Sequence, residues 1–344
     1  MVVDRDLRID ALRFVGTMLV ILAHVGAPNW IQNIRTFDVV MLVLISGMSI
    51  NKSRDTKKYF NYLFRRLKKM VFPLYIVLTI IFVINFVMSS LFGISSTGLD
   101  FNIILESYLL LDGIGYVWVV RVFLCVALVA PFFPRLFKNR SSVGFISIVV
   151  ISYILYSTIG ILLTDNPYWL FDFFFMQIVP YILIAAIGYK IYINKEMTKL
   201  MLLVSIIGLF GITITNIILN QSILPDSYKY PPQLQYLFYG LFISLLLFLI
   251  VDKFKSVEKF FASKFINFVS INSYDIYLYH ILTIFIYNAL KKLLGFNISN
   301  EYIVKYVFVL SIAIVLVIIK NYLKRYFNEI VNHYKNQKAK SQQV

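Results

Sequence analysis

The chain has 344 residues, 60% hydrophobic and only 15% charged, with a mean hydropathy of +0.78 and a formal net charge of +16. Soluble domains hold about 45–50% apolar and ~25% charged residues, so the composition excludes a soluble globular protein. The single cysteine, Cys125, excludes an intrachain disulfide.

Ten apolar stretches are predicted in chain order, at residues 12–28, 37–50, 71–92, 116–134, 143–163, 172–192, 200–219, 234–251, 271–290 and 302–320. Most approach the ~20 residues that cross a hydrocarbon core of ~30 Å as a helix. The second is short and carries Asp38, Ser46 and Gly47, and the first contains Arg13 and His24. The expected fold is all-α: a polytopic membrane bundle of about ten transmembrane helices. Residues 1–327 form a single membrane domain, and 328–344 a polar basic tail.

The charges orient these spans. With alternating spans and a cytoplasmic N-terminus, 26 Lys and Arg fall on inside segments or at the inner ends of spans, and four on outside segments: Arg35, Lys229, Lys291 and Lys292. Arg13, Arg121 and Lys305 lie within spans. A bias of this size follows the positive-inside rule and places both termini in the cytoplasm. Membrane lipids thus account for the basic charge, and no nucleic-acid partner is implied. Val25-Gly26-Ala27 resembles a small-residue cleavage site, but Arg13 interrupts the apolar run before it and His24 adjoins it, so the first span is expected to be retained.

Ionisable residues inside a membrane cost about 2.5–3.5 kcal/mol at the helix centre, which makes them functional candidates. Arg13 and His24 are eleven residues apart, three helical turns plus about 20°, so they share a face with ~16 Å between them. Asp10 lies three residues before Arg13 and can pair with it. Histidine suits general-base chemistry because its ordinary pKa lies near 6.5. The alternative is that Arg13 snorkels to headgroups and His24 marks an interface. His280, with Tyr277 three residues before it, is a second candidate, or else a buried histidine bonded to a neighbouring helix. Arg121 in the fourth span must face protein or water, with an acidic partner expected. Ser46-Gly47 permits close helix packing. The basic run from Lys52 to Lys69, ahead of Pro73, is either a topology signal or a site for a phosphorylated ligand. No Gly-rich phosphate loop, HExxH or paired-cysteine motif is present, and no metal is expected.

The opening RIDALRFVGTMLVILAH resembles the first helix of the membrane acyltransferase family 3, whose hallmark is Arg, ten residues, then His. Asp10 stands where that family commonly places an acid. LVLISGMSI resembles the family's Phe-Phe-x-x-Ser-Gly segment, with Val43-Leu44 replacing the two phenylalanines. RRLKKMVFPLY is similar to its basic run before Pro, with Lys68 and Lys69 where Arg is frequent. WVVRVFLCVALVAP, VPYILIAAIGYKI and SYDIYLYH resemble, in family order, its Trp-Phe-x-Arg, glycine-ended and late Ser-Tyr-x-Ile-Tyr-x-x-His segments.

The resemblance implies an O-acyltransferase in the plasma membrane of a bacterium. It would carry an acyl group from cytoplasmic acetyl-CoA, or succinyl-CoA, to a hydroxyl of an extracytoplasmic glycan such as exopolysaccharide or capsule. It implies His24 as general base or acyl relay, and Arg13, oriented by Asp10, as the group that holds a negatively charged donor or intermediate in the channel. Arg65, Arg66, Lys68 and Lys69 would meet the coenzyme A phosphates, and Arg121, Trp118, His280 and Tyr277 would serve the acceptor side. Other surface-polysaccharide assembly proteins are possible partners. Two other classes stay open: a glycan exporter, against which the lack of repeats or Gly/Pro-broken helix pairs speaks, and a non-catalytic component of such an assembly.

Overall fold

The computed structural model describes residues 6–50, 59–93, 100–163, 171–254 and 259–341. Lys52 to Lys58 of the basic run, Lys255 and most of the expected loop 164–171 lie outside the described residues. Among those described there is no strand. The helices are α1 (Leu7–Ala23), α2 (Asn29–Arg35), α3 (Asp38–Ser49), α4 (Tyr59–Phe92), α5 (Phe101–Tyr108), α6 (Val117–Val129) and α7 (Phe133–Phe137). They continue with α8 (Ser142–Leu162), α9 (Val179–Ile193), α10 (Glu196–Ile218), α11 (Leu234–Lys253), α12 (Lys264–Ile271), α13 (Ser273–Leu294) and α14 (Glu301–Ser341). A π-helical turn, Asp172–Met176, leads into α9.

Among the described residues, eight helical segments are long and apolar enough to cross a membrane, running over 29–49, 59–91, 117–137, 142–162, 172–193, 196–218, 234–253 and 301–333. They correspond to the second to eighth and the tenth expected spans. The first and ninth expected spans are helices too, α1 and α13, but they fall outside this set. The second span gains α2, which precedes α3 almost without a break. The first helix is displaced toward the N-terminus relative to 12–28. Asp6 caps it by accepting a hydrogen bond from the Arg8 N–H at 3.1 Å, which satisfies one of the free donors of a helix start. Its other end is set by Gly26, whose φ of +79° no helix continues through. The last helix runs on through the region expected to be a polar tail.

Burial separates two kinds of helix. Helix α3 has nine buried residues out of twelve, and it packs on α9, α1 and α11 at the centre. Glycine makes the α3–α9 contact possible. A Cβ on Gly47 would run into the Ala185 carbonyl, and one on Gly188 into the Leu44 carbonyl, so the two backbones meet with no side chain between them. Helices α8 and α10 instead expose Ile151, Ile154, Leu203, Ile207 and Phe210. Unbroken apolar surface of that kind fits hydrocarbon rather than water. The chain is a multi-pass membrane protein.

The bundle has a basic end and an opposite end. At the basic end Arg8 pairs with Asp252 at 2.7 Å, and the Lys190 ammonium donates to the carbonyls of Phe137 and Arg140. At the opposite end Thr36 donates to Asp226 at 3.0 Å and Lys291 pairs with Glu301 at 2.5 Å.

Candidate active site

A cavity of about 290 Å³ opens among α1, α3, α4, α6 and α13. Arg13, Thr17 and Val20 give one wall, in the i, i+4, i+7 spacing of a single helix face. His24 is the next residue on that stripe, at the C-cap of α1. Ser273, Tyr274 and Tyr277 form the facing wall on α13, and His280 lies one turn further along it. The cavity therefore runs from Arg13 and Arg66 at the basic end to Val20 and Tyr277, one helical turn short of His24 and His280. Between those limits its walls are mainly apolar, with Val119, Val120, Phe123, Val126 and Ala127 from α6.

The two histidines touch. His24 Nδ1 lies 3.0 Å from His280 Nε2, and the rings stack with centroids 5.2 Å apart. His280 Nδ1 meets the Tyr277 carbonyl one turn back in α13. A carbonyl only accepts, so His280 donates from Nδ1 and its Nε2 carries a lone pair. His24 must then donate from Nδ1 to that lone pair, which leaves the basic lone pair of His24 on Nε2. The backbone of α13 thus assigns both tautomers in turn. His280 is fully buried and His24 only partly so. Tyr116 closes the pair from the side. Its ring packs edge-on to His24 at 4.8 Å, and its carbonyl accepts from the Tyr277 hydroxyl at 2.5 Å.

Arg13 is held as the spacing predicts, with Asp10 at 3.3 Å, and it also reaches the Ser49 hydroxyl at 3.4 Å. Asp10 is buried and accepts in addition from Ser270 of α12 at 2.9 Å. Arg66 lines the cavity and stacks on Tyr62, 5.3 Å from the ring centroid. Arg65, Lys68 and Lys69 are exposed on α4 and do not line it. Of the four residues expected to meet coenzyme A, the structure thus brings only Arg66 into the cavity.

The remaining expected residues divide. His280 and Tyr277 join the site. Arg121 makes no direct ion pair with an acid among the described residues; Asp112 acts on its charge only through space. Its guanidinium donates to the carbonyls of Leu110 and Leu111 at 2.9 and 3.0 Å and to Gln177 at 2.6 Å, with Phe173 beneath it. Backbone carbonyls released by the turn before α6 take the carboxylate's place, so Arg121 fastens that turn to the segment before α9. Trp118 sits 5.2 Å from Tyr230 with the Lys229 ammonium over both rings, at 5.6 and 5.3 Å.

Sequence reasoning missed Tyr116, Ser270 and a buried group at the opposite end. There Arg35 pairs with Asp38 at 2.6 Å, and Lys229 is almost wholly buried. Burial pushes the Lys229 ammonium below its ordinary pKa. Arg35 and Asp38 stand at i, i+3, a spacing that signals pairing on a helix face. Lys229 was visible as one of few cations on outside segments.

A family model described as an acyltransferase domain, that of acyltransferase family 3, matches residues 6–322, nearly the whole chain. The chain belongs to acyltransferase family 3. The match takes in every residue of the site, from Asp10 to His280. No curated protein and no solved structure matches this acyltransferase.

Proposed function

We propose that this acyltransferase moves an acetyl group from acetyl-CoA, bound at the basic end, to a hydroxyl of a glycan at the opposite end, across the plasma membrane of a bacterium. The observation that carries the reading is the cavity that joins Arg13 and Arg66 to the neighbourhood of the His24–His280 pair. Arginines suit phosphate groups at its mouth. Its narrow apolar length suits a pantetheine arm, and the ~16 Å along α1 from Arg13 to His24 is comparable to that arm extended.

His24 Nε2 takes the proton of the acceptor hydroxyl as that oxygen attacks the thioester carbonyl. The new C–O bond forms, the C–S bond breaks, and the thiolate leaves with the proton carried by His24. His280 holds the ring in the tautomer this requires and accepts from the imidazolium that forms. The apolar stretch of wall between the arginines and the histidines favours acetyl over succinyl, because the free carboxylate of a succinyl group would be buried there without a partner.

The test is transfer of label from radiolabelled acetyl-CoA to surface glycan, in membranes carrying the wild-type protein or His24→Ala. Label that depends on the protein and is lost in the variant is the expected result. Equal label from both proteins would overturn the role of His24, and label independent of the protein would overturn the enzyme. Glycan made without the protein should lack only its ester groups; a failure of export would favour a transporter instead.

A further inference from the structure

On the far side of the histidine pair from the donor cavity lies a cleft of about 960 Å³ between α5, the turn before α6, α13 and the start of α14. That volume falls in the ~300–1,000 Å³ range of ligand sites. Two features set it apart. Tyr116 lines it, and Tyr116 is the residue whose ring packs on both His24 and His280, at 4.8 and 6.3 Å. Its rim also carries Lys291, Lys292 and Lys305, and Glu301, which pairs with Lys291, is the one carboxylate among its described lining residues.

Those lysines stand where lysines are scarce. Nearly all the basic residues of this chain gather at the other end, in the pattern the positive-inside rule describes. Lys305 also lies one turn inside the apolar helix α14, over the Tyr287 ring at 5.6 Å, a position that disfavours a charge. Helix α13 connects them to the chemistry. Ile284, Asn288 and Lys291 follow His280 at i+4, i+8 and i+11, so one face leads from the imidazole to the ammonium over ~16 Å. The second cleft at this end, about 810 Å³ and lined in part by Tyr153, Tyr228, Tyr230 and Gln233, has Asp172 and no lysine or arginine among its described lining residues.

We infer that the lysine cleft receives the acceptor, and that the acceptor is an anionic glycan, one bearing phosphate or carboxylate groups near the hydroxyl to be acylated. This rests on the acyltransferase reading for its purpose but not for its detection. Lys291, Lys292 and Lys305 hold the anionic groups, while Tyr116 and Ile284 guide the neighbouring sugar toward His24. Phosphate and carboxylate are met alike by an ammonium, as a point charge.

The test uses the whole protein in phosphatidylcholine vesicles, with labelled polyglycerol phosphate, oligogalacturonate and dextran as probes and no acyl-CoA present. The two anionic probes should bind and dextran should not. The double variant Lys292→Gln, Lys305→Gln should bind the anions at least tenfold more weakly, with binding regained in Lys292→Arg, Lys305→Arg, while Lys138→Gln at the other end changes nothing. Dextran binding as tightly as the anionic probes, or undiminished anion binding by the glutamine variant, would overturn the inference. So would abolition of polymer binding when phosphatidylglycerol replaces phosphatidylcholine, which would assign the lysines to a lipid headgroup. Acyl transfer read on the same preparations separates the two conclusions. Transfer without polymer binding refutes the cleft and leaves the enzyme; polymer binding without transfer refutes the enzyme and leaves the cleft.

Discussion

Helices α8 and α10 at the rim and α1 and α13 at the centre make opposite use of the same bilayer. The rim helices are apolar on nearly every face, expose isoleucine, leucine and phenylalanine, and hold no charged residue over most of their length. The central pair carries Asp10, Arg13, His24, Asp275 and His280, and neither helix meets the length and apolarity of a spanning segment. A helix at the rim is solvated by lipid and must be apolar throughout. A helix enclosed by its neighbours is solvated by protein, so Asp10 can lie buried against Arg13 and Ser270. In this chain the deficit in hydropathy marks the site.

Substitutions can break that division or sharpen it. The largest effect is expected from His24→Ala, with acyl transfer lower by on the order of 10²–10⁴-fold while the protein still inserts, as read by its amount in membranes. A variant that transfers normally would return α1 to a purely structural role. His280→Ala should slow turnover by about 10²-fold and leave the KM for acyl-CoA unchanged, because it frees the His24 tautomer without touching the donor. His280→Gln, which can still accept from His24, should recover part of the loss, and equal loss in both variants would show that packing matters and the hydrogen bond does not. Arg66→Ala should raise the KM for acyl-CoA by on the order of 10–10²-fold, the equivalent of ~1.5–3 kcal/mol for a hydrogen bond to a charged group. Lys68→Ala and Lys69→Ala should do distinctly less, since neither residue reaches the cavity. Ile151→Ala on α8 should change thermal stability in detergent by less than ~0.5 kcal/mol and leave transfer alone. A loss there as large as that of Arg66→Ala would erase the distinction between centre and rim.

Much of this was legible beforehand, for unequal reasons. Eight of the ten expected spans could be read from apolar length alone. The Arg13–His24 face followed from helical geometry, and Asp10 from its spacing to Arg13. The contact between His24 and His280 was not legible, because 256 residues separate them and only the packing of α1 on α13 brings them together. The same holds for Ser270 on Asp10. Arg121 misled because a buried guanidinium calls for acceptors, and sequence cannot say that backbone carbonyls will supply them. The resemblance implied four donor contacts in the basic run, yet of these only Arg66 lines the cavity, a matter of rotation about one axis that charge counting does not capture.

The glycine contact between α3 and α9 bears on how the protein moves. With two carbonyls seated where side chains would be, these helices have no rotamers through which to slide, and they form a fixed spine along one wall of the donor cavity. The opposite wall, from Tyr62 to Met70, belongs to α4 and ends just before Pro73, where the helix lacks a backbone hydrogen bond. Loading and release of an acyl donor are therefore expected to act through that wall as through a hinged door. The Tyr59 hydroxyl of α4 donates to the Leu128 carbonyl of α6 at 3.2 Å; cysteines at these two positions bridged by a short bis-maleimide should stop turnover, and a link between α3 and α9 should leave it running.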